Sequence, residues 1–480
     1  VDANGARVTN AWVSLDNDDL YDDSDDSESI DTVWMYFDAT GKAIGAGSNN
    51  GNGEIKKLSY GDGQSGYFIF DGDGYMLSGW KRWDKDNGKD SGTDLYYLGT
   101  QDEGWARTSF QWLEIDPDIP AFDGIDQADN NYKDECWFFF KTNGKAVKDD
   151  TTKYNNKTYS FDGYGRMLDL WVYPEDAKPE NKYASESGLT NKYASSSAPK
   201  SAYYSEDEGD RRGNEWILAY PNTDYDNYGD DLYYFYLDSK GRPFRADKQA
   251  EDDGKIAKGR GEAYRVDDDN PASDKADACD EVAAKAIKGQ TYLFNKNGVM
   301  LTGLYYLGAS DIKDGEVIEG KKVKKGTDDR GMTPGYYYFT EDSYPSSVAG
   351  QMVTKKRVTI DVNGDDETYY FDNNGKAYEL KIISGYIYGA DGKLITKYGD
   401  GNTYQRVKLG DIVPEDRRDK DGNCVITGKS DNDKEIVAKP DKEVLINENG
   451  KIKKGGSAKD TNDDTVSMDG YLFDKIKTKN

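Results

Sequence analysis

Histidine is absent from the 480 residues, and cysteine occurs only three times. Without histidine the chain has no Ser-His-Asp or Cys-His nucleophile, no His-ligated zinc and no access to the commonest general base. Cys136, Cys279 and Cys424 are widely spaced and odd in number, so we expect isolated thiols rather than a disulfide framework. These absences exclude most catalytic machinery, and we expect a protein that is not an enzyme.

Long apolar runs and an excess of positive charge are also lacking. No stretch of about 18 apolar residues occurs, so we expect no membrane span. Lys and Arg number 63 against 91 Asp and Glu, which gives a formal net charge of −28. A field of that sign repels phosphodiester backbones, so nucleic acid is not an expected partner, whereas neutral sugars and cationic groups are acceptable.

Aromatic residues are abundant in this hydrophilic chain. Hydrophobic residues make up only 35% of the sequence and charged residues 32%, a balance that by itself favours disorder. However, 38 Tyr, 15 Phe and 9 Trp are present, and each such ring buries roughly 150–250 Å² in a folded protein. We therefore predict ordered elements with a shallow aromatic core.

One phrase recurs along the chain: two to four aromatic residues, Asp or Asn, two small or polar residues, Gly, one further residue, and then small or apolar residues. Aromatic residues favour strands, and Asp or Asn followed by Gly suits a tight turn, so each copy predicts a β-hairpin whose returning strand follows the glycine. The turns fall at 38–41, 71–74, 143–144, 162–165, 238–241, 295–298, 372–375, 391–392 and 447–450, with a truncated copy at Gly5.

Each predicted hairpin carries rings on both faces. In one copy, Tyr369 and Phe371 point to one side of the strand and Tyr370 to the other, because side chains alternate. A lone hairpin is marginally stable in water, so both faces become buried only if successive hairpins stack. The predicted fold is an all-β, interrupted β-hairpin solenoid of stacked aromatic hairpins, with long acidic loop insertions and at most one short helix.

The spacing of the turns suggests three regions. It varies from 17 residues, between Gly375 and Gly392, to more than 70 elsewhere. We predict an N-terminal hairpin-repeat group at 1–173, an irregular polar insertion at 174–232 and a C-terminal hairpin-repeat group at 233–480.

The one predicted helix covers 273–288. Ser273 can cap its amino end, alanines fill its middle, and Gly289 is placed to end it. We expect this element to be an exception in an otherwise all-β chain.

The repeat phrase resembles a known family. The copies at 291–303 and 369–377 are similar to the cell-wall-binding repeats of Gram-positive surface proteins, the superfamily of choline-binding modules, glucan-binding repeats of streptococcal glucosyltransferases and repetitive regions of clostridial toxins. That resemblance implies stacked hairpins with ligands held against aromatic rings between them. It also implies an extracellular protein of the bacterial cell surface that binds cell-wall polysaccharide, glucan or a choline-bearing polymer through many weak sites.

Aromatic platforms are the main candidate binding residues. Sugar rings and quaternary ammonium groups both bind to aromatic faces, and one cation–π contact is worth roughly 0.5–2 kcal/mol. The alternative is that each ring belongs to the core, since every hairpin needs rings in order to stack. The candidates are Trp80, Trp83, Tyr96, Tyr97, Trp105 and Trp112 in one cluster, and Tyr305, Tyr306, Tyr336 and Tyr337 in a second.

Two acidic loops are weak candidates for calcium. Calcium takes six to eight oxygen ligands, and these loops place oxygen-bearing side chains at alternate positions without matching the twelve-residue EF-hand pattern. A solvated acidic turn is the favoured interpretation, and we expect no other cofactor. The candidate ligands are Asp84, Asp86 and Asp90 in the first loop and Asp361, Asn363 and Asp365 in the second.

A second hypothesis is a structural surface protein that assembles into filaments. The chain begins inside the repeat phrase at Val1, and the phrase recurs at 471–474 near its other end. Incomplete hairpins there would leave open strand edges, which recruit partner strands. Self-association is therefore the alternative to ligand binding.

Overall fold

The computed structural model of the chain is a succession of short, mostly antiparallel strands that form two units. Unit 1 comprises 1–232 and 236–243, and unit 2 comprises 233–235 and 244–480. The structure describes residues 1, 4–16, 32–46, 52–61, 63–84, 86, 88–125, 133–172, 202–220, 232–244, 261–265, 278–295, 297–308, 317–318, 321–322, 332–341, 349–362, 364–397, 402–430 and 433–476.

Among the described residues, 35 strands account for nearly all the regular structure. The first sixteen are β1 (Ala11–Asp16), β2 (Thr32–Phe37), β3 (Glu54–Tyr60), β4 (Gln64–Phe70), β5 (Trp80–Asp84), β6 (Lys89–Asp90), β7 (Asp94–Tyr97), β8 (Ser109–Glu114), β9 (Glu135–Phe140), β10 (Asp150–Tyr154), β11 (Lys157–Phe161), β12 (Met167–Leu168), β13 (Leu170–Val172), β14 (Ala202–Tyr204), β15 (Trp216–Ala219) and β16 (Tyr233–Tyr236). The others are β17 (Gly261–Arg265), β18 (Ala278–Ile287), β19 (Gln290–Asn295), β20 (Met300–Leu301), β21 (Gly303–Leu307), β22 (Val317–Ile318), β23 (Lys321–Lys322), β24 (Gly335–Phe339), β25 (Arg357–Val362), β26 (Asp365–Tyr370), β27 (Lys381–Ile383), β28 (Tyr386–Tyr388), β29 (Thr403–Lys408), β30 (Cys424–Gly428), β31 (Ile436–Ala438), β32 (Glu443–Ile446), β33 (Ser457–Asp460), β34 (Thr465–Asp469) and β35 (Leu472–Ile476).

The described part of the chain is all-β, as predicted. It contains no α-helix, and only three single-turn 3₁₀ segments interrupt the strands, at Pro120–Phe122, Leu409–Asp411 and Glu415–Arg417. In these same segments no helix is long and apolar enough to cross a membrane. The acidic insertion at 17–31 and most of the polar region at 174–232 lie outside the described residues, so the predicted boundaries stay a prediction.

The helix predicted at 273–288 is wrong over its described part. Ala278–Ile287 is strand β18, which pairs with β17 and β19. Lys288 and Gly289 both have positive φ, so the glycine expected to end a helix instead forms the two-residue turn of a β-hairpin. Strand partners on both edges outweigh the helix preference of alanine, which is a weak prior. Residues 273–277 lie outside the described residues.

The repeat phrase forms the predicted turn. In 71–74, the side-chain Oδ1 of Asp71 accepts hydrogen bonds from the backbone N–H groups of Asp73 and Tyr75, and Gly74 takes a φ of 93°. The same side-chain bonding recurs at the other Asp or Asn turns, at 38–41, 162–165, 238–241, 295–298, 372–375 and 447–450. Two further turns of this kind, 419–422 and 460–463, were not predicted.

The returning strand predicted after each turn is present but short. The strand before a turn pairs mainly with the strand that precedes it, as β4 pairs with β3 along seven residues. After the turn, only one or two residues return to the same strand: Met76 bridges to Phe70, and the two-residue strands β12 and β20 pair with β11 and β19.

At eight turns the segment after the turn glycine joins its hairpin to the preceding one. The residue two places after the turn glycine donates its N–H to a carbonyl of the preceding hairpin, and the next residue donates to its own hairpin. One backbone hydrogen bond at each of these eight turns therefore links neighbouring hairpins, whereas the turn at 238–241 is followed in this position by Pro243, which has no N–H to donate. These links run from Met76 to Trp34, Ala106 to Tyr67, Ala146 to Leu95, Arg211 to Thr158, Met352 to Thr291, Ala377 to Tyr336, Leu394 to Thr368 and Ile452 to Gly385.

Turn glycines sit against the same position of the preceding repeat. A Cβ added to Gly375 would lie 2.6 Å from Sδ of Met352, which stands two places after the previous turn glycine. Gly375 has a φ of 85°, so a side chain is disfavoured for conformational as well as steric reasons. The same contact joins Gly104 to Met76, Gly144 to Ala106, Gly209 to Met167, Gly350 to Met300, Gly392 to Ala377 and Gly450 to Leu394.

The last part of unit 2 is not a repeat hairpin. Strands β29, β32, β35, β34 and β33 close a five-stranded barrel around Leu445, Val466 and Met468. The phrase at 471–474 enters β35, which pairs with β32 on one side and β34 on the other. The open strand edge expected there is therefore wrong, because closing the barrel pairs both edges of β35.

We expect Gly375→Ala to destabilise unit 2 by about 2–4 kcal/mol, the sum of a left-handed backbone penalty and overpacking against Met352. Gly364→Ala is the matched control, since Gly364 has a φ of 91° but no atom within 4 Å of an added Cβ. The control variant should be destabilised only by the left-handed backbone penalty, about 1–2 kcal/mol. Amide hydrogen exchange in β24 and β26 measures the difference, and equal losses would contradict the stacking role of the glycine.

We also expect the turn at 419–422 to weaken in acid. Hydrogen bonds from the backbone N–H and side-chain amide of Asn423, and from the backbone N–H of Asp421, hold the pKa of Asp419 below its ordinary value. Because the folded pKa is the lower one, the carboxylate stabilises the turn above the unfolded pKa of about 3.9, and this contribution is lost as the pH falls through the folded pKa. Asp419→Asn keeps an acceptor without the charge.

The variant should therefore lose less protection of the Asn423 amide than the parent between about pH 5 and pH 2, a window set by the unfolded pKa of Asp and the lower folded one. Hydrogen exchange at that amide measures the effect. Asp441→Asn is the control, since the exposed Asp441 side chain makes no hydrogen bond to the rest of the described chain. An identical acid profile for Asp419→Asn and the parent sequence would contradict the assignment.

Candidate functional site

Five of the ten candidate platform rings are buried. Trp80, Trp83, Tyr96, Tyr305 and Tyr337 each expose less than a tenth of their surface. Trp80, for example, packs edge-on against Phe122 at 5.0 Å between ring centroids and lies 4.7 Å from Phe138. Burial also raises the pKa of Tyr96 well above its ordinary value. These rings fill the spaces between hairpins and present no open face.

The structure divides the first candidate cluster and keeps the second together. Trp80 and Tyr97 belong to one core and Trp83 and Tyr96 to another, while Trp105 and Trp112 lie elsewhere. In the second cluster, the pairing of β21 with β24 sets Tyr305 opposite Tyr337 and Tyr306 opposite Tyr336. Tyr306 and Tyr336 are half-buried with centroids 5.0 Å apart, and burial raises the pKa of Tyr336 to about 12.

Trp105 lines a polar groove of about 290 Å³ in unit 1, together with Tyr60, Tyr67 and Arg107. Tyr60 stacks on Trp105 at 4.3 Å with an interplanar angle of 12°, and the Arg107 guanidinium lies 4.9 Å from the centroid of the same ring. Arg107 is also paired with Glu103. Trp105 is therefore already engaged by a ring and a cation of its own chain.

Trp112 is the most exposed of the predicted rings, and it has a partner that the sequence did not indicate. Pairing of β8 with β9 sets Trp112 directly opposite Trp137. Their centroids are 5.4 Å apart at an angle of 65°, and 48% of Trp112 and 40% of Trp137 is exposed. We call these two residues the Trp112–Trp137 pair. No Lys or Arg of the described chain lies over either ring.

The exposure of the pair has a local cause. On the same face of β8, Phe110 is covered by Tyr159 of the next hairpin at 4.7 Å and by Tyr154 at 5.4 Å. That hairpin, β10–β11, turns at Asn155 and ends with Tyr154, which makes no ring contact with either tryptophan among the described residues. The hairpin is therefore too short to cover the outer end of β8–β9.

Two carboxylates stand beside the pair. The register places Glu114 opposite Glu135, next to Trp112 and Trp137 along their strands, and both glutamates are exposed. Neither carboxylate makes an ion pair with any described residue. Like charges set opposite each other repel, so this end of the hairpin favours a cationic group over an anionic one.

A second groove, of about 410 Å³, lies in unit 2 and is held by Asp433. The carboxylate accepts hydrogen bonds from the backbone N–H groups of Ser384 and Gly385 and from the Ser430 hydroxyl. These bonds fasten the β27–β28 turn to the chain at Asp433. We read this carboxylate as structural, since its oxygens already have donors.

The candidate calcium ligands do not converge where they are described. Asp84 Oδ1 accepts the backbone N–H of Asp86, while Asp90 accepts the backbone N–H of Arg82 and faces Lys81. Asp361 accepts the N–H of Gly364 in its turn, with Asp365 following, and Asn363 lies outside the described residues. In the described ranges, no three His, Cys, Asp or Glu side chains come together as a metal site.

Two of the thiols are unpaired and buried, at Cys136 and Cys424. Burial raises the pKa of Cys136 to about 11 and also raises that of Cys424. A thiol attacks as its thiolate, so neither side chain is poised as a nucleophile.

We expect Cys136 to resist iodoacetamide in the native protein at pH 8, where a thiol with a pKa near 11 is almost wholly protonated. In urea the same thiol should react at the rate of an ordinary cysteine. Peptide mapping by mass spectrometry separates Cys136 from Cys279 and Cys424. Native labelling as fast as labelling in urea would contradict the burial of this thiol.

The chain was compared with known proteins. No protein-family model matches it, and no curated protein matches it. Its fold is similar to that of choline binding protein F from Streptococcus pneumoniae, crystallised with a peptidoglycan analogue, at 16% identity and a TM-score of 0.35 over 77% of this chain and 85% of that one.

Two further solved structures from Streptococcus pneumoniae are similar. CbpJ is 15% identical with a TM-score of 0.34 over 72% of this chain and 76% of that one. The choline-binding domain of CbpL is 16% identical with a TM-score of 0.28 over 67% and 96%.

Proposed function

We propose that this chain is a non-catalytic binding module in which the Trp112–Trp137 pair docks a sugar ring or a quaternary ammonium group of a cell-wall polymer. The observation that carries the proposal is the exposure of two tryptophans at a steep mutual angle, with no Lys or Arg of the described residues over either ring. A contiguous exposed apolar patch on a folded protein often marks an interaction site, and two adjacent tryptophans form such a patch. Both proposed ligand groups bind to aromatic faces.

The surroundings of the pair support a neutral or cationic ligand. Glu114 and Glu135 add negative charge beside the rings, in a chain whose formal net charge is −28. Tyr154, 37% exposed, extends the aromatic surface past Phe110. A polymer that carries many such groups can occupy several weak aromatic sites together, which raises its overall affinity.

The wider setting is part of the same proposal. We propose that the repeats form an interrupted solenoid and that the protein acts outside the cell, at a bacterial surface. The turn-by-turn hydrogen bonds from one hairpin to the preceding one support a stacked array. The absence of histidine and the raised thiol pKa of Cys136 support a role without catalysis. Self-assembly into filaments gains no support, since β35 has both edges paired.

We expect Trp112→Ala combined with Trp137→Ala to lower retention of the whole chain on immobilised choline or glucan by about fivefold or more. Two aromatic contacts of 0.5–2 kcal/mol each correspond to roughly a fivefold to thousandfold change in the binding constant. Affinity chromatography at low salt measures the change, and circular dichroism checks that the double variant stays folded.

Tyr220→Ala is the matched control. Tyr220 is 56% exposed, lies in the same unit and makes no ring contact among the described residues, so its loss removes an exposed aromatic side chain without touching the site. The control should be retained like the parent chain. Failure of the parent chain to bind either matrix, or equal retention of the double variant, would overturn the proposal.

A further inference from the structure

Four of the chain's seven methionines occupy one repeated position. Each stands two places after a turn glycine, and its side chain lies against the turn glycine of the next repeat, as that of Met352 does against Gly375. Other repeats place alanine, arginine or leucine there, as Leu394 lies against Gly450. We call the methionine contacts the methionine joints, and they are Met76–Gly104, Met167–Gly209, Met300–Gly350 and Met352–Gly375.

A methionine joint connects three successive parts of the stack. The N–H of Met352 donates to the carbonyl of Thr291 in the preceding hairpin, and an isolated bridge pairs Met352 with Phe339 of its own hairpin. Its Sδ then lies 2.6 Å from the place of a Cβ on Gly375, in the following turn. The packing of one thioether therefore bears on both neighbouring hairpins. The same three contacts of Met76 are with Trp34, Phe70 and Gly104.

The methionine joints lie at the margins of apolar cores. Met76, Met167 and Met352 are half-buried, and each packs against a cluster of enclosed apolar side chains. Met300 is more enclosed, with 7% of its surface exposed. A half-buried side chain remains within reach of a small oxidant, and a thioether reacts without first losing a proton, whereas a thiol reacts as its thiolate. These three thioethers are therefore easier to oxidise than the buried, protonated thiol of Cys136.

We propose that Met76, Met167 and Met352 are modification sites at which a peroxide reversibly oxidises the thioether to a sulfoxide and thereby loosens the joint. In this step the O–O bond of the peroxide breaks and an S–O bond forms. The sulfur is oxidised by two electrons, and the other peroxide oxygen leaves as water or an alcohol. The flexible apolar side chain becomes polar and chiral, a change that disrupts apolar contacts.

Two properties of the joint make the sulfoxide unfavourable there. The sulfur occupies the place of a Cβ on the glycine, so the added oxygen increases the bulk at a contact that is already closely packed. The oxygen also accepts hydrogen bonds, and enclosing it against an apolar cluster without a donor costs free energy. Opening the joint gives the oxygen access to water. Oxidation therefore shifts the equilibrium towards hairpins that are no longer stacked at that position.

The effect is confined to particular hairpins. After Gly375 the same position carries Ala377 and then Leu394, neither of which a peroxide oxidises. The stack of unit 2 therefore has an oxidation-sensitive joint at Met352, followed by two resistant ones. No ligand takes part, so this inference is independent of the proposed function and is tested separately.

The test is amide hydrogen exchange of the full chain before and after hydrogen peroxide, with the sulfoxide at each methionine quantified by mass spectrometry. We expect exchange at the Met352 and Ala377 amides, which bond to preceding hairpins, to become about fivefold faster or more, the factor for leaving one buried polar group unpaired. The equivalent amides of Leu394 and Ile452 should keep their rates. Treatment with methionine sulfoxide reductases, one for each epimer, should restore the original exchange.

Met352→Leu is the matched variant, because Leu394 already fills this position against Gly450. Before peroxide it should exchange like the parent chain, and after peroxide the acceleration at the Ala377 amide should be absent. Met468→Leu is the control, since Met468 is 8% exposed and fills the barrel core rather than a joint. This control should show the full acceleration.

Three results would contradict the proposal. They are a Met352 that peroxide leaves intact in the folded chain, a Met352 sulfoxide that leaves the Ala377 amide unchanged, and an acceleration that persists in Met352→Leu. Circular dichroism checks that each variant stays folded. Met76→Leu gives a second comparison in unit 1, measured at the Ala106 amide, which bonds to Tyr67.

Discussion

One backbone hydrogen bond, made at eight turns from the residue two places after the turn glycine to a carbonyl of the preceding hairpin, is the constraint on which the stacking of those hairpins depends. A two-stranded hairpin cannot bury two aromatic faces, and this bond fixes where the next hairpin lies. It also explains why the glycine is needed, since the residue that makes the bond packs where a Cβ would stand, as Met352 does against Gly375. The turn therefore serves two hairpins at once.

Because rings alternate along a strand, both faces of the strand carry rings. Each ring is buried or exposed according to whether a neighbouring hairpin covers it. On one face of β9, Phe138 and Phe140 are fully enclosed, because the preceding hairpin and the 3₁₀ segment at Pro120–Phe122 pack there. On the other face, Phe139 is covered by β10–β11 while Trp137 is not. Buried core rings and exposed platform rings are therefore the same residue types in the same motif. The length of the neighbouring hairpin decides whether a given ring is buried or exposed.

The aromatic rings also differ in the charged side chains that lie beside them. Trp105 is engaged by Arg107, and Tyr370, Tyr378 and Tyr386 lie beneath basic side chains of their own unit, whereas the Trp112–Trp137 pair faces two glutamates. In a chain with a formal net charge of −28, a lysine over a ring offsets the negative charge of nearby carboxylates as well as covering the ring. This difference separates a satisfied aromatic cluster from one that can accept a ligand.

The sequence by itself determined the turns, the all-β class and the alternation of rings, because a turn such as 71–74 is specified by four consecutive residues whose side chain and backbone bond to each other. It could not determine which strand pairs with which. Pairing between segments distant in sequence decides four features: the partner of Trp112, the strand conformation of 278–287, the barrel that encloses β35 and the position of Lys429 over Tyr370. Local residues set φ and ψ, whereas burial of each remaining face is decided only when the other strands are in place.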